Sequence, residues 1–118
     1  MLIQICKSKI AHARITQADL HYEGSITIDG GILDAVGIIP FEKVEVLNVN
    51  NGIRFETYAI SGRRGSGMFC LNGPAARMGV VGDEIIVLSY AFAEPKAAKG
   101  LKPKIVFLNE KNKIRRKK

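Results

Sequence analysis

From Lys43 to Ile60 the chain reads as two runs of alternating side chains joined through Asn50-Asn51-Gly52, and no other feature constrains the fold as strongly. Asn-Gly supplies the positive φ angles of a tight β-turn, so the flanking runs are predicted to pair as a hairpin. Val44, Val46 and Val49 mark the first strand, Lys43 to Val49, and the second runs from Ile53 to Ile60. Side chains on a strand alternate in direction. Arg54, Glu56, Tyr58 and Ile60 therefore share one face, and Phe55 and Thr57 the other.

The rest of the chain carries the same short-strand pattern. Met1 to Ile10, Gly24 to Ile28, Met68 to Leu71, Glu84 to Tyr90 and Lys104 to Leu108 read as strands, bounded by turn residues. Helical turns are predicted over Ile32 to Val36, closed by Gly37, and near Ala75 to Met78. A faint repeat links Gly37-Ile38-Ile39 and the strand after it to Gly79-Val80-Val81 and the strand after that. Two such halves suit one small closed barrel, so the fold class expected is all-β with short helices.

The chain has 118 residues, which allows one domain with little wall for a deep private pocket. If it acts on a polar metabolite, sites built between subunits are expected. Its formal net charge of +7 is uneven. Lys96 to Lys118 hold ten basic residues against one acid, whereas residues 1–95 hold eight against ten. The basic run reads as a solvated, partly disordered extension of a mildly acidic domain spanning 1–95. It lacks the interleaved aromatics of a base-stacking surface, so no nucleic-acid partner is expected. No apolar run approaches the ~20 residues of a membrane span, and the start lacks a secretory pattern, which points to the cytoplasm. Cys6 and Cys70 read as buried thiols, and with His12 and His21 they lack metal-ligand spacing, so no metal is expected.

Few segments suggest chemistry. The loop Ser61-Gly62-Arg63-Arg64-Gly65-Ser66-Gly67 is followed by a strand and not a helix, which argues against a phosphate loop. No serine elbow accompanies the two histidines, which are given no catalytic role. Gly24-Ser25 has intrinsic reactivity, because a serine hydroxyl can attack the preceding carbonyl where the backbone is held in a strained geometry that glycine tolerates. By itself such a dipeptide is usually only a turn.

The longer strings Thr16-Gln17-Ala18-Asp19-Leu20-His21-Tyr22-Glu23-Gly24-Ser25, Asn51-Gly52 with Arg54-Phe55-Glu56-Thr57-Tyr58, Arg64-Gly65-Ser66 and Asn72-Gly73 resemble the bacterial aspartate α-decarboxylases. The resemblance runs from about residue 1 to residue 90. It implies a six-stranded double-psi β-barrel assembled as a homotetramer, acting on L-aspartate to give β-alanine for pantothenate. It implies self-cleavage between Gly24 and Ser25 into residues 1–24 and 25–118, with Ser25 becoming a pyruvoyl group that binds substrate as a Schiff base. Lys9 and Arg54 would hold the substrate carboxylates, Tyr58 would donate a proton, and Thr57 would bind substrate and also assist cleavage. Asn72, Gly73, Pro74 and Ala75 would form the turn against the substrate. Two positions depart from the family: Ala11 stands where a histidine is common, and Pro74 has no N–H to offer. The other readings are an uncleaved barrel serving as an interaction module and a nucleic-acid-binding module.

Overall fold

A computed structural model describes residues 1–118. Strands β1 (Ile3–Arg14), β2 (Gln17–Asp19) and β3 (Ser25–Asp29) lead into helix α1 (Gly30–Val36). The hairpin β4 (Lys43–Asn48) and β5 (Arg54–Gly62) follows, then β6 (Phe69–Asn72), a 3-10 turn over Gly73–Arg77, and β7 (Glu84–Ala93). Helix α2 (Pro95–Ala98), β8 (Lys104–Leu108) and β9 (Ile114–Lys117) complete the chain. The all-β expectation holds, and no helix is long and apolar enough to cross a membrane.

The strands lie in the order β2-β6-β3-β5-β4-β7-β1-β8-β9. β1 and β2 are separated only by Ile15 and Thr16, so one continuous segment pairs with β7 through β1 and with β6 through β2 and closes the strands between them on themselves, with β8 and β9 extending beyond β1. Thr16 reinforces the seam, since its N–H donates to the Phe69 carbonyl at 2.9 Å. Closure leaves one interior, filled by Ile10, Ile26, Ile28, Val46, Phe69, Leu71, Ile85 and Val87 among others, each fully buried. Small barrels fill their lumen with side chains in this way, so the interior is core and the chemistry must lie on the wall or its rim.

The predicted hairpin forms, with Leu47 opposite Arg54 and Gly52 at φ 78°. The repeat has a structural meaning as well. β4 pairs antiparallel with β7, and the pair Val46 and Val87, equivalent in the repeat, lies within that register. Two equivalent strands paired about an equivalent residue are related by a local two-fold axis. Helix α1 ends as expected at Gly37, which takes φ 74°.

The C-terminal segment corrects an expectation. Read as a partly disordered extension beyond a domain ending at residue 95, it belongs to the sheet: β8 runs parallel to β1 and β9 antiparallel to β8. Asn112 holds the connecting turn. Its side chain accepts from the Arg14 N–H at 2.8 Å and donates to the carbonyls of Arg14 at 2.9 Å and Gly67 at 2.8 Å. The charges of β9 face solvent on an edge strand, where lysine and arginine also discourage further pairing. Arg116 lies over the Phe107 ring, 4.4 Å from its centre. Charge density alone suggested disorder, but one buried asparagine and one cation–π contact anchor the segment.

Candidate active site

β3 sits between β6 and β5, and that placement gathers the expected residues. The antiparallel register sets Ser25 opposite Asn72 and Thr27 opposite Cys70. The parallel register sets Ile26 beside Ala59, and continuing it by one residue brings Ser25 beside Tyr58. Registered neighbours project to the same side of a sheet. Ile26 and Ala59 are both fully buried in the interior. Ser25, Tyr58 and Asn72 therefore share the opposite face, outside the barrel.

Ser25 is itself fully buried. Asn72 Nδ2 donates to Ser25 Oγ at 2.9 Å and to Thr27 Oγ1 at 2.9 Å. Ser25 Oγ reaches the Glu23 carbonyl only at 3.5 Å, too long to lock its proton in place. Asn72 Oδ1 in turn accepts from the Cys70 thiol at 3.1 Å. Burial, then the Asp19 carboxylate, push that thiol above its ordinary pKa, so at neutral pH it keeps the proton it donates.

Gly73 presses directly on the Gly24 peptide. It takes φ 64°, and a Cβ there would stand 2.6 Å from the Tyr22 carbonyl oxygen and 2.9 Å from both Cα and N of Gly24. Only glycine permits both the conformation and the approach. Pro74 flanks the same peptide, with its Cδ 3.3 Å from where a Gly24 Cβ would lie, and Ala75 is buried beneath. The turn expected to border the site thus packs against the Tyr22 carbonyl and Gly24, immediately before Ser25.

The other expected residues lie elsewhere in the protomer. Thr57 shares the inward face of β5 with Phe55 and Ala59, opposite to Tyr58, as the alternation predicts. The Tyr58 ring packs 5.9 Å from the ring of Phe41, a residue at φ 71°. Arg54 is four residues from Tyr58, about 13 Å along the strand. It pairs with Glu45 at 3.4 Å. A hydrogen bond from Tyr90 at 2.7 Å, followed by that arginine, outweighs desolvation and holds the Glu45 carboxyl below its usual pKa. Lys9 lies on β1 opposite Leu88, eight residues along the segment before Gln17, where that segment meets β6 beside β3. The protomer thus joins Gly24, Ser25, Tyr58, Asn72 and Gly73 but leaves Lys9 and Arg54 apart from them.

The Gly-rich loop is occupied by the protein's own acid. Asp29 accepts from the N–H groups of Gly31 at 2.8 Å, Gly65 at 3.0 Å and Gly67 at 2.9 Å. Burial alone would raise its pKa, but the bonds from Gly67, Gly65, Gly31 and Ile32 together hold it below the usual value. A carboxylate already satisfies the donors that a phosphate would need. His12, in a bulge of β1 at φ 66°, pairs with Glu84 at 3.0 Å, and Ala11 is buried. Cys6 is half-buried and Cys70 buried; both are free thiols, so the reading of two buried thiols holds for Cys70 alone.

Sequence reasoning missed Thr27 and Cys70 as parts of this cluster. Thr27 was accessible in principle, two residues from Ser25 and so on the same face. Cys70 was not, because its place depends on β6 pairing with β3.

The family model described as Aspartate decarboxylase matches residues 1–115 of the chain. The aspartate 1-decarboxylase of Leptospira biflexa serovar Patoc is 52% identical over 113 residues, covering 95% of this chain and 96% of its own. That of Chloroherpeton thalassium is 56% identical over 112 residues, covering 95% and 82% respectively. That of Carboxydothermus hydrogenoformans is 54% identical over 114 residues, covering 97% and 90%.

Proposed function

The chain belongs to the aspartate decarboxylase family, and on that premise we propose that it converts L-aspartate to β-alanine and carbon dioxide, a step toward pantothenate and coenzyme A. The chain first cuts itself between Gly24 and Ser25. Ser25 Oγ attacks the Gly24 carbonyl carbon, and the bond from that carbon to the Ser25 nitrogen breaks as the proton moves from oxygen to nitrogen, leaving an ester. Loss of the Ser25 Cα proton then expels the Gly24 carboxylate from Cβ and leaves a dehydroalanine at residue 25. Water replaces its nitrogen, which departs as ammonia, and a pyruvoyl group remains on residues 25–118.

The residues around Ser25 suit both states of that position. Asn72 Nδ2 is a buried donor on Ser25 Oγ, and a donor is also what a carbonyl oxygen at residue 25 requires. The pyruvoyl group supplies a carbonyl that captures the substrate amine and withdraws the electrons released as the α-carboxylate departs. Tyr58, on the same face as Ser25, would give the proton that the α-carbon needs after carboxylate loss. Thr57 would assist the cut, and the turn from Asn72 to Ala75 would border the substrate, with Pro74 contributing shape in place of an N–H.

Aspartate brings two carboxylates, and a site must answer them with cations. Arg54 and Lys9 are of the right kind but stand away from Ser25 within one protomer. In the proposed homotetramer of double-psi barrels a neighbouring subunit supplies them. Ile39, Phe41, Val80, Val81 and Phe92 are large apolar residues exposed on the single chain, the kind of surface that subunit contacts cover. The setting proposed is a reducing cytoplasm, in which Cys6 and Cys70 stay unpaired.

The observation that carries this reading is the fully buried Ser25 hydroxyl held by Asn72 beside a Gly24 peptide pinned by Gly73. Release of β-alanine from L-aspartate tests it. The wild-type protein should produce β-alanine and Ser25→Ala should produce none. Undiminished production by Ser25→Ala would overturn the assignment.

A further inference from the structure

The Asn72 side chain is 2% exposed and meets three groups, the hydroxyls of Ser25 and Thr27 at Nδ2 and the thiol of Cys70 at Oδ1. A primary amide can turn end for end with almost no change in shape, so its hydrogen-bond partners decide which way it faces. The two hydroxyls do not decide it, because each can donate or accept. A thiol has one S–H to give and is a poor acceptor, so Cys70 requires Oδ1 toward itself and Nδ2 toward the hydroxyls.

The direction matters for Ser25. With Nδ2 facing it, the serine oxygen accepts a hydrogen bond from the amide N–H, and its own proton stays free to move to the Ser25 nitrogen as the ester forms. With the amide reversed, Oδ1 would accept the serine proton and hold it. We infer that Cys70 is a positioning residue for self-cleavage, its thiol proton setting the orientation of the Asn72 amide that faces the Ser25 hydroxyl. This rests on the reading of Ser25 as the self-cleaving residue. The thiol is well placed to do so, since Cys70 is 5% exposed, on a strand registered with β3, and paired there with Thr27, the amide's other partner.

The test compares Cys70→Val, which keeps a compact apolar side chain about one methyl larger and removes its proton, with Cys70→Ser, which keeps a donor. Each full-length chain is purified rapidly, its thermal transition is recorded, and the appearance of the two fragments is followed by intact mass. Cys70→Ser should cut at a rate within about twofold of wild type, and Cys70→Val about fivefold more slowly, the effect of one lost orienting hydrogen bond. A purely packing role would order the rates by melting temperature, without rescue by serine. Equal rates for Cys70→Val and wild type, or a Cys70→Ser chain as slow as Cys70→Val, would overturn the inference. If the wild-type chain itself stays uncut, the reading of Ser25 has failed, and the orienting role is then read from the Asn72 side-chain amide resonances. These should form one sharp pair in wild type and Cys70→Ser and should shift or double in Cys70→Val; an unchanged pair in Cys70→Val would again refute it.

Discussion

Replacing Gly73 with alanine should damage cleavage more than it damages the fold. Two costs arise. Alanine at φ 64° must adopt the left-handed conformation, which costs about 1–2 kcal/mol. The new methyl would also meet the Tyr22 carbonyl at 2.6 Å, where ordinary contact begins at 3.4 Å, so the backbone there must retreat by roughly 0.8 Å. For Gly24 Cα and N, at 2.9 Å, the shortfall is roughly 0.5 Å. Backbone atoms cannot rotate away as a side chain can, and overpacking of this kind adds about 1–3 kcal/mol.

Of the displaced atoms, Gly24 Cα adjoins the carbonyl under attack, so moving it shifts that carbonyl while Ser25 stays anchored to Asn72. A shift of roughly 0.5 Å between a nucleophile and its target slows the reaction by about tenfold. Gly52→Ala is the control. Gly52 takes φ 78° with nothing within 4 Å of its missing Cβ, so that variant carries the conformational cost alone. Urea unfolding gives the stability of each protein, and fragment intensities over time give the cleavage rate. Gly52→Ala should be destabilised yet cut at the wild-type rate. A folded Gly73→Ala that cuts as fast as Gly52→Ala would show that the packing of Gly73 on Gly24 has no part in the reaction.

Tyr58→Phe should cut normally but form β-alanine at least about a hundredfold more slowly, the usual contribution of a positioned proton donor; equal loss of cutting and turnover would contradict the separate roles given to Tyr58 and Ser25. Asp29→Asn should cost about 2 kcal/mol at neutral pH, because the amide offers one acceptor where the carboxylate serves three N–H donors. The native carboxyl titrates below its unfolded value, so its contribution is complete above the unfolded pKa, about 3.9, and fades as the pH falls through the lower native pKa. The stability gap between Asp29→Asn and wild type should therefore narrow below about pH 4 in urea titrations; a gap that widens there would refute the assignment.

Local patterns were legible in the sequence. The hairpin around Asn51-Gly52, the cap at Gly37 and the alternation that separates Tyr58 from Thr57 all follow from rules acting within about ten residues. Gly24-Ser25 was legible as reactive only within the longer string around it. The surroundings of Ser25 were not legible, because Asn72 and Cys70 reach it through pairing between β3 and β6, more than forty positions apart in the chain. The role of Asp29 was not legible either, since its carboxylate organises a loop over thirty residues downstream. β9 was hidden by its charge, which masks a strand whose anchor is the buried Asn112. The separation of Lys9 and Arg54 from Ser25 could not be seen either, since strand order is a property of the closed sheet.

The central claim is that this chain makes its own carbonyl at residue 25. The most direct measurement is the intact mass of the purified wild-type protein after incubation at neutral pH, with Ser25→Ala beside it. Two species should appear in the wild type: residues 1–24 ending in a free carboxylate, and residues 25–118 carrying a pyruvoyl group in place of an amino-terminal serine. Ser25→Ala should remain one chain of 118 residues. A wild-type protein that stays whole, or a larger fragment that begins with an ordinary serine, would contradict the account.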